Sequence, residues 1–111
     1  MKEPVILLEH ILESIEVIER VLPKTEQAFT QSSDVQDIVI RRLEIIGEAA
    51  RYLPEELKQV QPEADWRRLT DLRNLLIHEY FNVDVGLLWN NTQHYLPILK
   101  QAVQELIKQK G

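Results

Sequence analysis

The feature that most constrains the fold of this chain is the scarcity of glycine beside apolar residues that recur at helical spacing. The 111 residues include three glycines, at 47, 86 and 111. Long segments carry apolar side chains at i, i+3, i+4 and i+7, the period that puts them on one helix face. An all-helical protein follows. Val5, Leu8, Ile11, Leu12, Ile15, Ile18 and Leu22 form the first stripe, opened by Pro4 and closed by Pro23. Residues 24–33 are polar with weak period, a loop or a frayed extension. Ser33-Asp34-Val35-Gln36 reads as a capping box, with Ser33 at the N-cap and Gln36 reaching back. The second helix then runs to about Leu53, with Val35, Ile38, Val39, Leu43, Ile46, Ala50 and Leu53 inward. Gly47 inside it costs about 1 kcal/mol against alanine, and the close crossing of another helix is the physical reason to expect it there. Pro54 opens a short turn over 55–60, and 61–64 form a linker. Asp65 is the N-cap of a third helix from Trp66 to about Tyr80. Asn82 or Asp84 caps a shorter helix with Val85, Leu88 and Trp89, and Pro97 kinks or breaks the chain near Tyr95-Leu96. A last helix carries Ile98, Leu99, Val103, Leu106 and Ile107. Trp66 and Trp89 read as packing anchors. The whole is one domain, residues 1–111, with four main helices plus short pieces.

Composition narrows the function classes. The absence of cysteine excludes disulfides and thiolate metal sites and fits a reducing cytoplasm. The N-terminal apolar run is broken by Glu9, His10, Glu13 and Glu16, so it reads as neither signal peptide nor membrane span. A net charge of -5 argues against non-specific binding to long nucleic acid. Arg41, Arg42, Arg51, Arg67, Arg68 and Arg73 nevertheless cluster mid-chain, leaving room for a local basic site; for any one of them a solvated helix face is the simpler reading. His10 and His94 stand outside any motif and read as surface positions, and with His78 they make no metal-ligand spacing.

One stretch asks for a chemical explanation. Arg73-Asn74-Leu75-Leu76-Ile77-His78-Glu79-Tyr80 places an arginine, an asparagine, a histidine and a tyrosine in the most apolar part of the sequence, Leu69 to Phe81. Burying such groups unpaired costs roughly 1–3 kcal/mol each. Histidine exchanges a proton near neutral pH, and arginine fits phosphate oxygens in a fork. Together they suggest chemistry on a phosphodiester. On an ideal helix Asp71, Asn74 and His78 share a face, while Arg73 and Tyr80 share another about 20° apart. Arg73 and His78 diverge by roughly 140°. They can converge if the helix is irregular, if the arginine bends round, or if a second copy supplies the other half. Structural readings stand beside these: a core His78 hydrogen-bonded by Asn74, an Arg73 salt bridge to Asp71 or to a carboxylate of the second helix, and a packing or interface role for Tyr80.

The stretch resembles the R-x4-H-x-Y signature of the HepT-like toxins, small proteins of the HEPN superfamily encoded beside a minimal nucleotidyltransferase, MntA. Arg42-Leu43-Glu44-Ile45-Ile46-Gly47-Glu48-Ala49-Ala50 and the segment from Val83-Asp84 to Leu88-Trp89 resemble the same family, so the likeness runs from about residue 5 to 108. It implies a HEPN-type antiparallel helical bundle and a homodimer whose motifs meet across a cleft. It also implies the toxin half of a type VII toxin–antitoxin pair, an RNA endonuclease. His78 would take the 2′-hydroxyl proton or protonate the leaving 5′-oxygen, Arg73 would hold the phosphate, and Asn74 would fix the His78 ring or contact the phosphate. Tyr80 would receive AMP from the nucleotidyltransferase antitoxin. Asp37 and Glu48, at family acidic positions, could orient Arg73 or simply be solvated; Asp71, two residues before it, is a departure that could weaken phosphate binding. No Gly-rich phosphate loop, nucleophilic triad or acidic set for two magnesium ions occurs, so cleavage is expected to be metal-independent and cofactor-free, with the 2′-hydroxyl restricting the substrate to RNA. The alternative is a non-catalytic module that binds nucleotide or docks a nucleotidyltransferase; a purely structural helical dimer is a third reading.

Overall fold

Pro4 sits in the first turn of α1 (Pro4–Val21), where its missing N–H removes no helical hydrogen bond. The structure, a computed structural model, describes residues 3–110, without the side chains of Tyr80 and Lys110. α1 buries Leu7, Leu8, Ile11, Ile15 and Ile18, so Leu7 joins the core and Val5 is only half-buried. The polar stretch that follows is not a plain loop. It contains α2 (Glu26–Thr30), capped by Thr25, which accepts the Ala28 N–H at 3.2 Å. Phe29 anchors this turn, fully buried with its ring centroid 5.5 Å from that of Trp89.

α3 (Ser33–Arg51) is capped by Ser32, one residue before the expected Ser33, through the Val35 N–H at 3.3 Å. Gln36 does not reach back to a cap. Its amide donates to the Phe29 and Thr30 carbonyls at the end of α2, at 2.8 and 3.0 Å, and the Phe29 carbonyl also accepts the Ser32 N–H at 3.2 Å. Ile38, expected inside, faces outward. The turn and linker after Pro54 are helical too: α4 (Glu55–Val60) and a 3-10 turn over Pro62–Ala64. The Trp66 indole N–H donates to the Lys58 and Gln61 carbonyls, both at 3.1 Å, and fastens them to the bundle.

α5 (Trp66–His78) starts on Asp65, which takes a left-handed backbone (φ 49°) and accepts the Arg68 N–H at 3.4 Å. It buries Trp66, Leu69, Leu72 and Leu76. The helix stops at His78, two residues short of the expected end. Glu79 leaves helical geometry at φ -132° and ψ 36°, and a 3-10 turn over Tyr80–Asn82 follows. Asp84, rather than Asn82, caps α6 (Val85–Asn90), accepting the N–H groups of Gly86 and Leu87 at 2.8 and 3.3 Å. The break expected near Tyr95 is a π turn over Asn91–Tyr95 that runs straight into α7 (Leu96–Lys110). Pro97 lacks an N–H and its ring crowds the carbonyl four residues back, so a widened turn just before it relieves both demands.

The π turn is locked to α5. Arg68 donates from Nε and Nη2 to Asn91 Oδ1 at 3.2 and 3.0 Å and lies 4.7 Å from the centroid of the Tyr95 ring. The Tyr95 hydroxyl donates to the Ala64 and Asp65 carbonyls, and burial pushes its pKa up. Arg68, readable as a solvated cation, is therefore structural. α3 packs on both α1 and α5, and α1 also packs on α7. The result is an all-α antiparallel bundle of four long helices with short ones between them, with no strand among the described residues. Among those residues no helix is long and apolar enough to cross a membrane.

Candidate active site

α3 and α5 cross at Gly47. A Cβ there would lie 2.5 Å from Arg73 Cβ, 3.0 Å from Arg73 Cγ and 3.1 Å from the Leu69 carbonyl oxygen. The glycine is the gap through which the stem of Arg73 passes over α3, the close crossing expected from its place in the helix. One position further on, Glu48 meets the guanidinium, with Arg73 Nη2 2.8 Å from Glu48 Oε2. Arg73 Nη1 donates to Asn74 Oδ1 at 3.2 Å. The pairing is close in distance but poor in angle: Glu48 Oε2 and Arg73 Nε are both buried without a hydrogen-bond partner. Arg73 is thus a positioned cation with an unmet donor, its side chain 26% exposed. Such a group gains from an incoming oxyanion that can accept from the fork.

Arg73 opens onto a groove of about 600 Å³ between α1, α3 and α5. Glu48, His10, Arg41 and Tyr52 share its lining with an apolar floor. His10, expected to be an ordinary surface residue, is half-buried in this wall. Nothing local marks it out, because it sits at the polar edge of the α1 stripe between Glu9 and Glu13.

The motif histidine lies elsewhere. His78 is the last residue of α5, exposed and outside the groove lining, and its side chain makes no hydrogen bond or ion pair among the described residues. The Asn74–His78 hydrogen bond, one of the readings open to the sequence, does not form; the Asn74 side-chain oxygen accepts from Arg73. α5 is a regular helix from Trp66 to His78, so irregularity does not bring Arg73 and His78 together. Of the three acidic residues expected around Arg73, only Glu48 reaches it; Asp37 and Asp71 are exposed and make no ion pair among the described residues. The Tyr80 side chain lies outside the described residues. Its backbone belongs to the 3-10 turn, so the seven-residue spacing from Arg73 no longer measures an angle on one helix. Among the described residues no group of three or more histidine or acidic side chains is arranged to hold a metal ion.

Comparison with known proteins gives a consistent set of likenesses. The family model described as "Ribonuclease HepT-like" matches residues 11–106. A Methanocaldococcus jannaschii protein named "Gamma-glutamylcyclotransferase and putative RNase" is 42% identical over 109 residues, which cover 97% of this chain and 49% of that protein. The chain therefore spans about half the length of that relative. A "Probable ribonuclease HepT" of Thermococcus cleftensis is 41% identical over 102 residues, covering 91% of this chain and 93% of the relative. A Caldanaerobacter subterraneus protein named "Putative RNase" is 35% identical over 111 residues, 99% of each. No solved structure matches the chain.

Proposed function

Because the chain belongs to the ribonuclease HepT-like family, we propose that it is a metal-independent endoribonuclease. In this reading it is the toxin of a type VII pair with an MntA-like nucleotidyltransferase, and Arg73, His78 and Asn74 carry the site. The observation that supports this most is the state of Arg73: anchored by Glu48 and Asn74, yet with a buried donor unmet. His78 removes the ribose 2′-hydroxyl proton, and the 2′-oxygen attacks phosphorus as the bond to the 5′-oxygen breaks. The protonated His78, or water, returns a proton to that 5′-oxygen. The products are a 2′,3′-cyclic phosphate and a 5′-hydroxyl. Arg73 turns from Glu48 to the non-bridging oxygens and stabilises their added charge.

Arg73 faces the groove while His78 lies at the helix end, which favours a site assembled from two copies. Ile77 and Phe81, 40% and 80% exposed beside His78, offer apolar surface for an isologous contact. Light scattering should show a dimer at micromolar concentration; a monomer throughout would contradict this assembly. Purified protein should cleave RNA in EDTA, and loss of cleavage on chelation would sink the metal-free mechanism. One observation favours the second reading, a non-catalytic nucleotide-binding or docking module: Glu48 already occupies Arg73 in a protein of net charge -5. Failure of the purified protein to cut any RNA would favour that module.

Control falls on Tyr80. AMP on its hydroxyl would add a phosphodiester that competes for Arg73 and bulk that fills the cleft. Incubation with the cognate nucleotidyltransferase, ATP and magnesium should add AMP units, each about 329 Da, at Tyr80. Tyr80→Phe should still cleave RNA and escape silencing. Tyr95 is an unsuitable acceptor, since it is buried with its hydroxyl donated to backbone carbonyls. Peptide spectra that place AMP on the exposed Tyr52 would overturn the assignment.

A further inference from the structure

We propose that the groove between α1, α3 and α5 is a nucleobase subsite, in which Tyr52 stacks on a base of the RNA strand and Glu44 accepts a hydrogen bond from its exocyclic amine. The inference rests on the reading of Arg73 as the cation that holds the RNA phosphate.

The groove is built for one flat, polar-edged group next to one phosphate. Its volume of about 600 Å³ has Ile45 and Ala49 among the apolar lining, and its charges balance, Arg41 and Arg73 against Glu44 and Glu48. A channel for successive phosphates would carry an excess of cations. This one pairs two cations with two carboxylates, and of the two cations Arg73 is the one that carries a buried donor without a partner among the described residues. That pattern complements a nucleotide whose phosphate sits at Arg73 and whose uncharged base lies along the apolar lining.

Tyr52 supplies the stacking surface. It is the C-cap residue of α3, it lines the groove and is 57% exposed, and the Arg51 guanidinium lies 5.4 Å from its ring centroid. An exposed aromatic ring beside a cation is the pairing that single-strand binding surfaces use to hold bases without reading their full sequence. Glu44 supplies the reading element. Its side chain is 21% exposed, and Arg41 Nη1 stands 3.6 Å away, too far for a strong hydrogen bond. The carboxylate keeps acceptor capacity for a base amine, as glutamate does toward the cytosine amino group. Adenine, cytosine and guanine carry such an amine; uracil carries none.

The test uses the full chain and 2′-O-methyl oligonucleotides, which cannot be cleaved through the 2′-oxygen, in fluorescence anisotropy titrations. Oligo(A) should bind more tightly than oligo(U), and Glu44→Gln should narrow that difference. Tyr52→Ala should weaken oligo(A) binding about tenfold, whereas Tyr52→Phe should keep it. An abasic oligomer of the same length should bind wild type and Tyr52→Ala equally. The proposal is overturned if Tyr52→Ala weakens abasic and base-bearing oligomers alike, or leaves both unchanged. If binding is sensitive to Arg73→Ala but not to Tyr52→Ala, the subsite fails and the ribonuclease reading stands. If no oligomer binds, both fall.

Discussion

His78→Ala and Arg73→Ala should each lower the rate of RNA cleavage by a factor of about 10²–10⁴, the range lost with a general base or an oxyanion-stabilising cation. Arg73→Lys should remain poor, because lysine keeps the charge and loses the fork. The two alanine variants, each inactive alone, should complement when mixed and allowed to exchange subunits. In a heterodimer, one of the two composite sites takes Arg73 from one copy and His78 from the other. Random reassociation gives half heterodimers, so about a quarter of wild-type activity should return. A mixture that stays inactive while dimers form would place both groups of each site on the same chain. The geometry argues against that, since α5 is regular between them and Arg73 is turned toward α3.

Gly47→Ala should destabilise the fold and impair cleavage together. On helix propensity alone alanine gains about 1 kcal/mol over glycine. Here the added methyl would stand 2.5 Å from Arg73 Cβ and 3.1 Å from the Leu69 carbonyl, contacts that only separation of α3 and α5 relieves. Overpacking of this kind costs about 1–3 kcal/mol, and the melting temperature should fall by several degrees, roughly 4–10 °C. Because the obstructing atoms are the stem of Arg73, the same shift moves the guanidinium away from Glu48 and Asn74. Thermal denaturation and cleavage rates check both consequences. A variant more stable than wild type would show that the crossing has slack.

The contrast between what the sequence shows and what it hides follows from the range of the forces involved. Pro4, Asp65 and Asp84 were legible because a cap or a first helical turn involves only neighbours in the chain. Gly47 was legible because a glycine in a good helix needs an outside reason, and the reason is Arg73. α2 was hidden because a single apolar residue, Phe29, anchors it in a polar stretch, and its partner Trp89 is sixty residues away. The role of Gln36 is hidden in the sequence because its acceptors are carbonyls of a helix that the apolar pattern does not reveal. The end of α5 was invisible because Tyr80 and Phe81 continue the apolar pattern while the backbone turns at Glu79. At the site, the Glu48 pairing with Arg73 was one of the alternatives left open, and helix-wheel angles warned that Arg73 and His78 diverge. The groove and His10 depend on three helices meeting and left no local trace.

The most direct measurement of the central claim is the chemistry of the cut ends. Purified wild-type protein, incubated with RNA in EDTA, should leave 2′,3′-cyclic phosphate and 5′-hydroxyl termini, and a single 2′-deoxy substitution at the cut site should abolish that cut. Cleavage that survives the deoxy substitution, or ends with a 5′-phosphate, would contradict an attack by the substrate's own hydroxyl.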